Sequence, residues 1–301
     1  MLTVHRLPEL REPVVLCAAS GWSDAGSAAS GALTYLLGKW SSRRFAEFDS
    51  DSIYSYTVTR PATIRAGGRR RLHWPELAWY ELPVPHAEHD LALLLGPEPD
   101  LRWQEVRRAS LDLMGRLRAS MLITLGAFYG QVPHTIPARI FARSSHARLA
   151  EQLSELRLSD TDYQGPTGFV SALVDAANAR GLPAAGLWAA APMYLQGTPN
   201  PKLSAALLLI AEQLIGADLG IAELEAAGRD LEQRLNEALR DRPEFQKLVE
   251  SMTSQLEAEA PPERSEPTIE RPPPSGELPT PEEVLHDLEN YLKDLRKDGG
   301  R

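Results

Sequence analysis

The chain has 301 residues, 43% of them hydrophobic and 24% charged, which is ordinary globular usage with ample apolar content for a core. Its single cysteine, Cys17, excludes an internal disulfide framework and a cysteine-rich zinc site, and its apolar surroundings mark it as a buried thiol rather than a nucleophile. The net charge of −9 is uneven: residues 216–301 carry −10 and residues 1–215 carry +1, so general nucleic-acid binding is not expected.

In chain order, Met1–Arg6 lacks the charged start and long apolar stretch of a signal peptide. No run of roughly 18 apolar residues follows that would span a membrane, so a cytoplasmic location is expected. Val14–Ala19 is a short apolar run ended by a glycine turn and reads as a buried strand, with a helix rich in Ala, Gly and Ser over Asp24–Trp40. Strands are expected at Arg43–Asp49, Trp79–Val84 and Leu91–Leu95, and a hairpin of Tyr54–Thr59 with Arg69–Trp74 around Ala66-Gly67-Gly68. Leu101–Arg118 has helical periodicity, Ser120–Phe128 reads as a central strand, and Arg139–Ala142 as a short strand before a helix near His146. A helix follows Thr167-Gly168-Phe169 and stops at Gly181-Leu182-Pro183, a small-residue strand covers Ala185–Ala191, and a helix begins at Pro201.

Strands separated by helical patterns imply a three-layer α/β core over residues 1–217, with a mixed, largely parallel sheet and helices on its faces. The hairpin is the expected antiparallel addition to that sheet. A helical extension over 218–257 follows, broken at Pro243, then a Pro/Glu-rich linker over 258–279. The last segment, 280–301, starts with the capping sequence Thr280-Pro281-Glu282-Glu283. It carries an apolar stripe of Val284, Leu288, Tyr291/Leu292 and Leu295 that should pack on its own domain, another subunit or a partner.

Four groups of residues invite a chemical reading. The loop Gly21-Trp22-Ser23-Asp24-Ala25-Gly26 joins a strand to a helix, where free amides can hold an anion. It has the Gly-x-x-x-x-Gly spacing of a phosphate loop, but Ser27 stands where the lysine is needed, and the Gly-x-Gly-x-x-Gly pattern is absent. The plainer reading is that Asp24 or Ser23 caps the helix, while Gly26, Ala29, Ser30 and Leu33 let it pack closely. A small anionic ligand is the alternative. His134, in Pro133-His134-Thr135-Ile136-Pro137 after a central strand, is the leading catalytic candidate. With Ser20, Ser23 and Asp24 at another strand end it could form a Ser-His-Asp hydrolase, although no Gly-x-Ser-x-Gly elbow is present. The plainer reading is a histidine bonded to the loop backbone. His86 and His89 lie in a turn and lack a zinc pattern. The cluster Arg65, Arg69, Arg70 and Arg71 is either a solvated face or a contact for an acidic partner, such as the C-terminal segment of a neighbouring subunit.

Several motifs in order are similar to those of the proteasome assembly chaperone 2 family, in its actinobacterial branch. They are Gly21-Trp22-x-Asp24-Ala25-Gly26 with Ala29-Ser30, Leu95–Asp100, Pro133-His134-Thr135, Gly165–Phe169, Gly181-Leu182-Pro183, Leu187-Trp188-Ala189, and Pro192-x-Tyr194 with Asn200-Pro201. The resemblance covers roughly residues 10–215, and the later acidic helices also suit that branch. It implies a phosphorylase/hydrolase-like α/β domain that oligomerises. Eukaryotic members chaperone proteasome α-subunits and are not enzymes; some bacterial members carry a loose "ATP-grasp" label. Proteasome-docking members end in a hydrophobic residue, a tyrosine and one last residue, whereas this chain ends Asp298-Gly299-Gly300-Arg301 with Tyr291 internal, so docking by the tail is not expected.

The expectation is therefore a non-enzymatic, homo-oligomeric, protein-binding or assembly-chaperone-like protein with proteasome subunits as candidate partners, and with no cofactor, metal, membrane or nucleic acid. The candidate binding residues are Gly21, Trp22, Ser23, Asp24, Gly26, His134 and Tyr163. The alternative is a small-molecule binder or a hydrolase- or ligase-type enzyme using a rim near Asp24 and His134.

Overall fold

The apolar run near the start of the chain forms β2 (Val14–Ser20), which is covered on both faces. Val14, Leu16 and Ala18 enter one apolar cluster while Val15, Cys17 and Ala19 enter the other. That division is the two-residue period of a strand, and it explains why the run carries no polar alternation. The computed structural model describes residues 1–259 except 159, 161, 162 and 241. The capped segment 280–301 and the linker beyond residue 259 lie outside the described residues.

With β2, the strands β7 (Leu91–Pro97), β8 (Met121–Gly130) and β10 (Ala184–Pro192) form the centre of the sheet and run parallel to one another. At the flanks, β1 (Leu2–Val4), β3 (Arg43–Phe48), β6 (Ala78–Leu82) and β9 (Ile140–Arg143) pair antiparallel. The order is β1-β3-β6-β7-β2-β8-β10-β9, an eight-stranded mixed sheet with a parallel centre. One face is covered by α1 (Ala28–Lys39), α4 (Ala147–Glu155), α6 (Pro201–Ile215) and α7 (Ala222–Leu239). The other is covered by α2 (Ser50–Ile53), α3 (Trp103–Leu117) and α5 (Phe169–Ala179). The three-layer α/β architecture is thus the one the strand–helix alternation implies. The last described helix, α8 (Pro243–Glu259), follows α7.

Two of the expected elements are placed differently. The first helix begins at Ala28, not Asp24, because Gly26 (φ 62°) and Ser27 (φ 49°) turn left-handed and leave a 3₁₀ turn at Ala25–Ser27. The hairpin is β4 (Ala62–Ala66) with β5 (Arg69–His73), and it forms its own two-stranded sheet instead of extending the main one. Tyr54–Thr59 is not its first strand. That segment is held down instead: the Tyr54 hydroxyl donates to the Pro97 carbonyl at 2.8 Å, and the Ser55 amide and Thr59 hydroxyl donate to the Asp100 carboxylate at 2.8 and 3.0 Å.

All four central strands end at one edge of the sheet. The loops leaving that edge carry most of the motifs, as expected of a parallel α/β sheet.

Candidate functional site

Asp24 lies in the β2–α1 loop with its carboxylate turned onto α1. Its Oδ1 accepts hydrogen bonds from the Ala29 amide at 2.8 Å and the Ser30 amide at 3.1 Å, and its Oδ2 accepts one from the Ser30 hydroxyl. These are first-turn amides of the helix, the donors that an external phosphate would need. The protein fills that position with its own carboxylate. Burial pushes the Asp24 carboxyl above its ordinary range, against the lowering effect of those three hydrogen bonds. The loop is fixed elsewhere as well: the Ala127 amide donates to the Ser23 carbonyl at 2.8 Å, the Gly26 amide to the Tyr129 hydroxyl at 3.1 Å, and the Asn200 amide to the Gly26 carbonyl at 2.8 Å. Of the two capping candidates, Asp24 is the cap.

Ser23 does something else. Its side chain is buried, at 1% exposure, and its hydroxyl has no hydrogen-bond partner among the described residues. It faces Gly168, the residue before α5, where an added Cβ would stand 2.0 Å from the Ser23 Oγ and 3.2 Å from Glu98 Oε1. Only glycine allows that approach. Glu98 follows β7, receives the Phe169 amide on Oε1 at 2.6 Å, and so occupies the α5 N-terminus as Asp24 occupies that of α1. Burial raises its carboxyl above the ordinary range, the Phe169 hydrogen bond opposes this, and Asp100 adds to it. Three separate motifs, Gly21–Gly26, Leu95–Asp100 and Gly165–Phe169, therefore meet around Ser23, Glu98 and Gly168. Trp22, 61% exposed, lies in the first of these loops. Tyr163, 58% exposed, precedes the third and donates from its hydroxyl to the Pro166 carbonyl at 3.0 Å.

His134 belongs to a second cluster. Its backbone amide donates to the Tyr194 hydroxyl at 2.7 Å, and that hydroxyl donates in turn to His134 Nδ1 at 2.7 Å. Nε2 then carries the ring proton and donates to Asn236 Oδ1 at 3.1 Å. Burial holds the ring below its ordinary pKa and Lys202 adds to this, while Asn236 and Glu232 oppose it. Lys202 donates to the carbonyls of His134 at 2.7 Å and Ile136 at 2.9 Å and pairs with Glu232 at 2.6 Å. The neighbouring cavity, lined in part by His134, Asn200, Lys202 and Glu232, measures about 20 Å³. That is room for about one water molecule.

Asp24 and His134 thus sit in different networks. Asn200 contacts the first through Gly26 and lines the cavity of the second, but no hydrogen bond joins the two residues, and among the described residues no serine hydroxyl meets His134. The Ser-His-Asp arrangement weighed from the sequence is not assembled: Asp24 and His134 each have other partners, and Ser23 faces Gly168. Glu98 was not singled out from the sequence, although it lies in a motif immediately after a strand. Among the described residues, no group of three or more His, Cys, Asp or Glu side chains is placed to hold a metal ion. Nor is any described helix long and apolar enough to cross a membrane. Cys17 is fully buried, and desolvation pushes its thiol up to about 12.

The family model of PAC2, the family of the sequence motifs, matches residues 18–239. Among solved structures, a PAC2 family protein from Streptomyces avermitilis is 34% identical, with a TM-score of 0.70 over 80% of this chain and 99% of that one. A Mycobacterium tuberculosis proteasome-assembly chaperone homologue is 32% identical, with a TM-score of 0.71 over 78% of this chain and 99% of that one. A Mycobacterium tuberculosis protein of unknown function is 28% identical, with a TM-score of 0.79 over 86% and 91%. None of the curated proteins matches the chain.

Proposed function

We propose, because this chain belongs to the PAC2 family, that it is a non-enzymatic, oligomeric protein-binding factor of the assembly-chaperone type, with proteasome subunits as its partners. The observation that carries the reading is the 32% identity to a proteasome-assembly chaperone homologue, a likeness that runs through 99% of that chain. The site chemistry is consistent with it. Asp24 is engaged by α1, and His134 is held neutral between Tyr194 and Asn236, so neither is poised as a base or nucleophile partner. The exposed ring of Trp22 is apolar area of the kind that protein contacts use. The test is a pull-down of proteasome α- and β-subunits by the full chain, with light scattering for its own assembly state. Enrichment of a subunit supports the reading. No enrichment of either subunit type removes the proteasome partner, and a monomer at micromolar concentration removes the oligomer.

A second reading has one specific observation behind it. A buried hydroxyl without a partner, Ser23, adjoins a carboxyl raised by burial, Glu98, at the carboxyl edge of the sheet. A small ligand bound at this rim would satisfy Ser23. Thermal shift with nucleotides, phosphosugars and carboxylates tests it; absence of stabilisation by every one, or stabilisation that persists in Glu98→Gln and Ser23→Ala, sinks it.

A further inference from the structure

β3 and β6 are antiparallel neighbours, a relation that a turn of a few residues can make. The chain instead takes residues 49–77 to pass from one to the other and places the β4–β5 hairpin in between. The hairpin turns at Gly67 (φ 57°) and Gly68 (φ 75°), and the positive φ at both suits a tight turn between twisted strands. Its root is anchored by Tyr54, Ser55 and Thr59 on the Pro97–Asp100 loop, and Tyr56 meets Trp74 edge-on at 4.8 Å. The insertion therefore stands at the same edge of the sheet as Glu98.

What this insertion presents is unusual for a chain of net charge −9. From Ser52 to Pro75 there is no acidic residue, while Arg60, Arg65, Arg69, Arg70 and Arg71 all fall within it. All five are exposed, and none of their side chains has an ion pair or hydrogen bond among the described residues. Elsewhere Arg6, Arg11, Arg44, Arg180 and Arg234 each meet a carboxylate. The register sets Arg65 directly opposite Arg70, a like-charge pair that weakens a hairpin. A two-stranded sheet with no other strand to lean on is marginal to begin with.

The hairpin also exposes apolar side chains. Leu72 shares a face with Arg65 and Arg70, Ile64 shares the other with Arg69 and Arg71, and Val58 and Trp74 flank the root. Val58 is 72% and Leu72 59% exposed. The apolar residues exposed on the hairpin strands themselves, Ile64 and Leu72, are aliphatic and offer a nucleic acid no stacking surface, whereas a protein segment can meet them with its own apolar residues. We infer that the β4–β5 hairpin is a docking element for an acidic segment of another protein, one that presents carboxylates and apolar side chains together on a single helical face. Carboxylates pair Arg65 and Arg70 in bidentate fashion and relieve their repulsion, while an apolar side chain covers Leu72 on the same face. The inference stands on the hairpin and does not need the assembly-chaperone reading.

The test uses the full chain and a short labelled peptide that repeats glutamate and leucine at helical spacing, followed by fluorescence anisotropy. The expected result is binding that falls as salt is raised and weakens at least about tenfold in Arg65→Glu/Arg70→Glu. The milder Arg65→Gln/Arg70→Gln weakens it by a smaller factor, and Leu72→Ser weakens it without changing the salt dependence. Unchanged circular dichroism and Tm show that each variant keeps its fold. No binding of the peptide, binding indifferent to the arginine variants, or tighter arginine-dependent binding of labelled oligothymidine overturns the inference.

Discussion

Replacing Asp24 separates a structural carboxylate from a chemical one. In Asp24→Ala the Ala29 amide, buried, and the Ser30 amide, half-buried, lose their acceptor, and so does the Ser30 hydroxyl. Removal of a helix cap costs about 1 kcal/mol, and a buried donor left unpaired about 1–3 kcal/mol more. The two effects overlap, so the expected loss is about 2–4 kcal/mol. For a domain of this size that lowers the Tm by roughly 5–10 °C. Asp24→Asn behaves differently. Its amide oxygen still accepts from both backbone donors, and its nitrogen can donate to the Ser30 oxygen. The native carboxyl sits above its ordinary pKa because burial outweighs its hydrogen bonds, so the negative charge itself contributes little favourable energy. The expected loss for Asp24→Asn is about 1 kcal/mol or less. Urea titration and thermal melts of the two variants beside the parent measure both. An Asn variant as damaged as the Ala variant, or an Ala variant that melts with the parent, would falsify the account of Asp24 as the α1 cap.

Two further outcomes follow from packing and from titration. Gly96→Ala would set a Cβ 2.1 Å from the Glu76 carbonyl oxygen and 2.6 Å from Leu77 Cα, both backbone atoms, so a loss of at least about 3 kcal/mol is expected. Gly38→Ala, inside α1 with nothing within 4 Å, should instead stabilise by about 0.5–1 kcal/mol; reversed signs in chemical denaturation contradict the close approach of β6 to β7. His134 is held below the ordinary value of 6.5, so the unfolded chain takes up its proton first. Its contribution to stability is full above that value and declines as pH falls through it toward the folded-state pKa. Urea midpoints at pH 7.5 and 5.5 should fall further in the parent than in His134→Gln, and equal falls would show that the ring is not buried neutral.

How far the fold was legible depends on where each signal resides. The central strands were readable because burial on both faces leaves an unbroken apolar run, as in Val14–Ala19, and α6 because its cap is local: Asn200 accepts from the Leu203 amide and Pro201 opens the helix. β1 was missed because three residues carry no period. The hairpin was displaced by several residues because Tyr54–Thr59 has strand-like composition but is claimed by Asp100 and Pro97, which lie more than 35 positions away. Composition reports what a segment can pair with and is silent on a distant competitor.

The site was legible as motifs and illegible as geometry, for a reason set by strand order. Gly21–Gly26 and Leu95–Asp100 meet because β2 and β7 are parallel neighbours whose carboxyl ends coincide, Ser20 opposite Pro97. His134 follows β8, the strand on the other side of β2, and turns toward Tyr194 and Asn236 beyond β10 and α6. The same sheet edge thus sorts residues of similar chemical promise into separate neighbourhoods, and sequence spacing holds no trace of the sorting. Grouping Asp24 with His134 treated one edge as one site. The register instead places Ser23 with Glu98 and Gly168, and leaves Asp24 as the anion that closes the loop's own helix end.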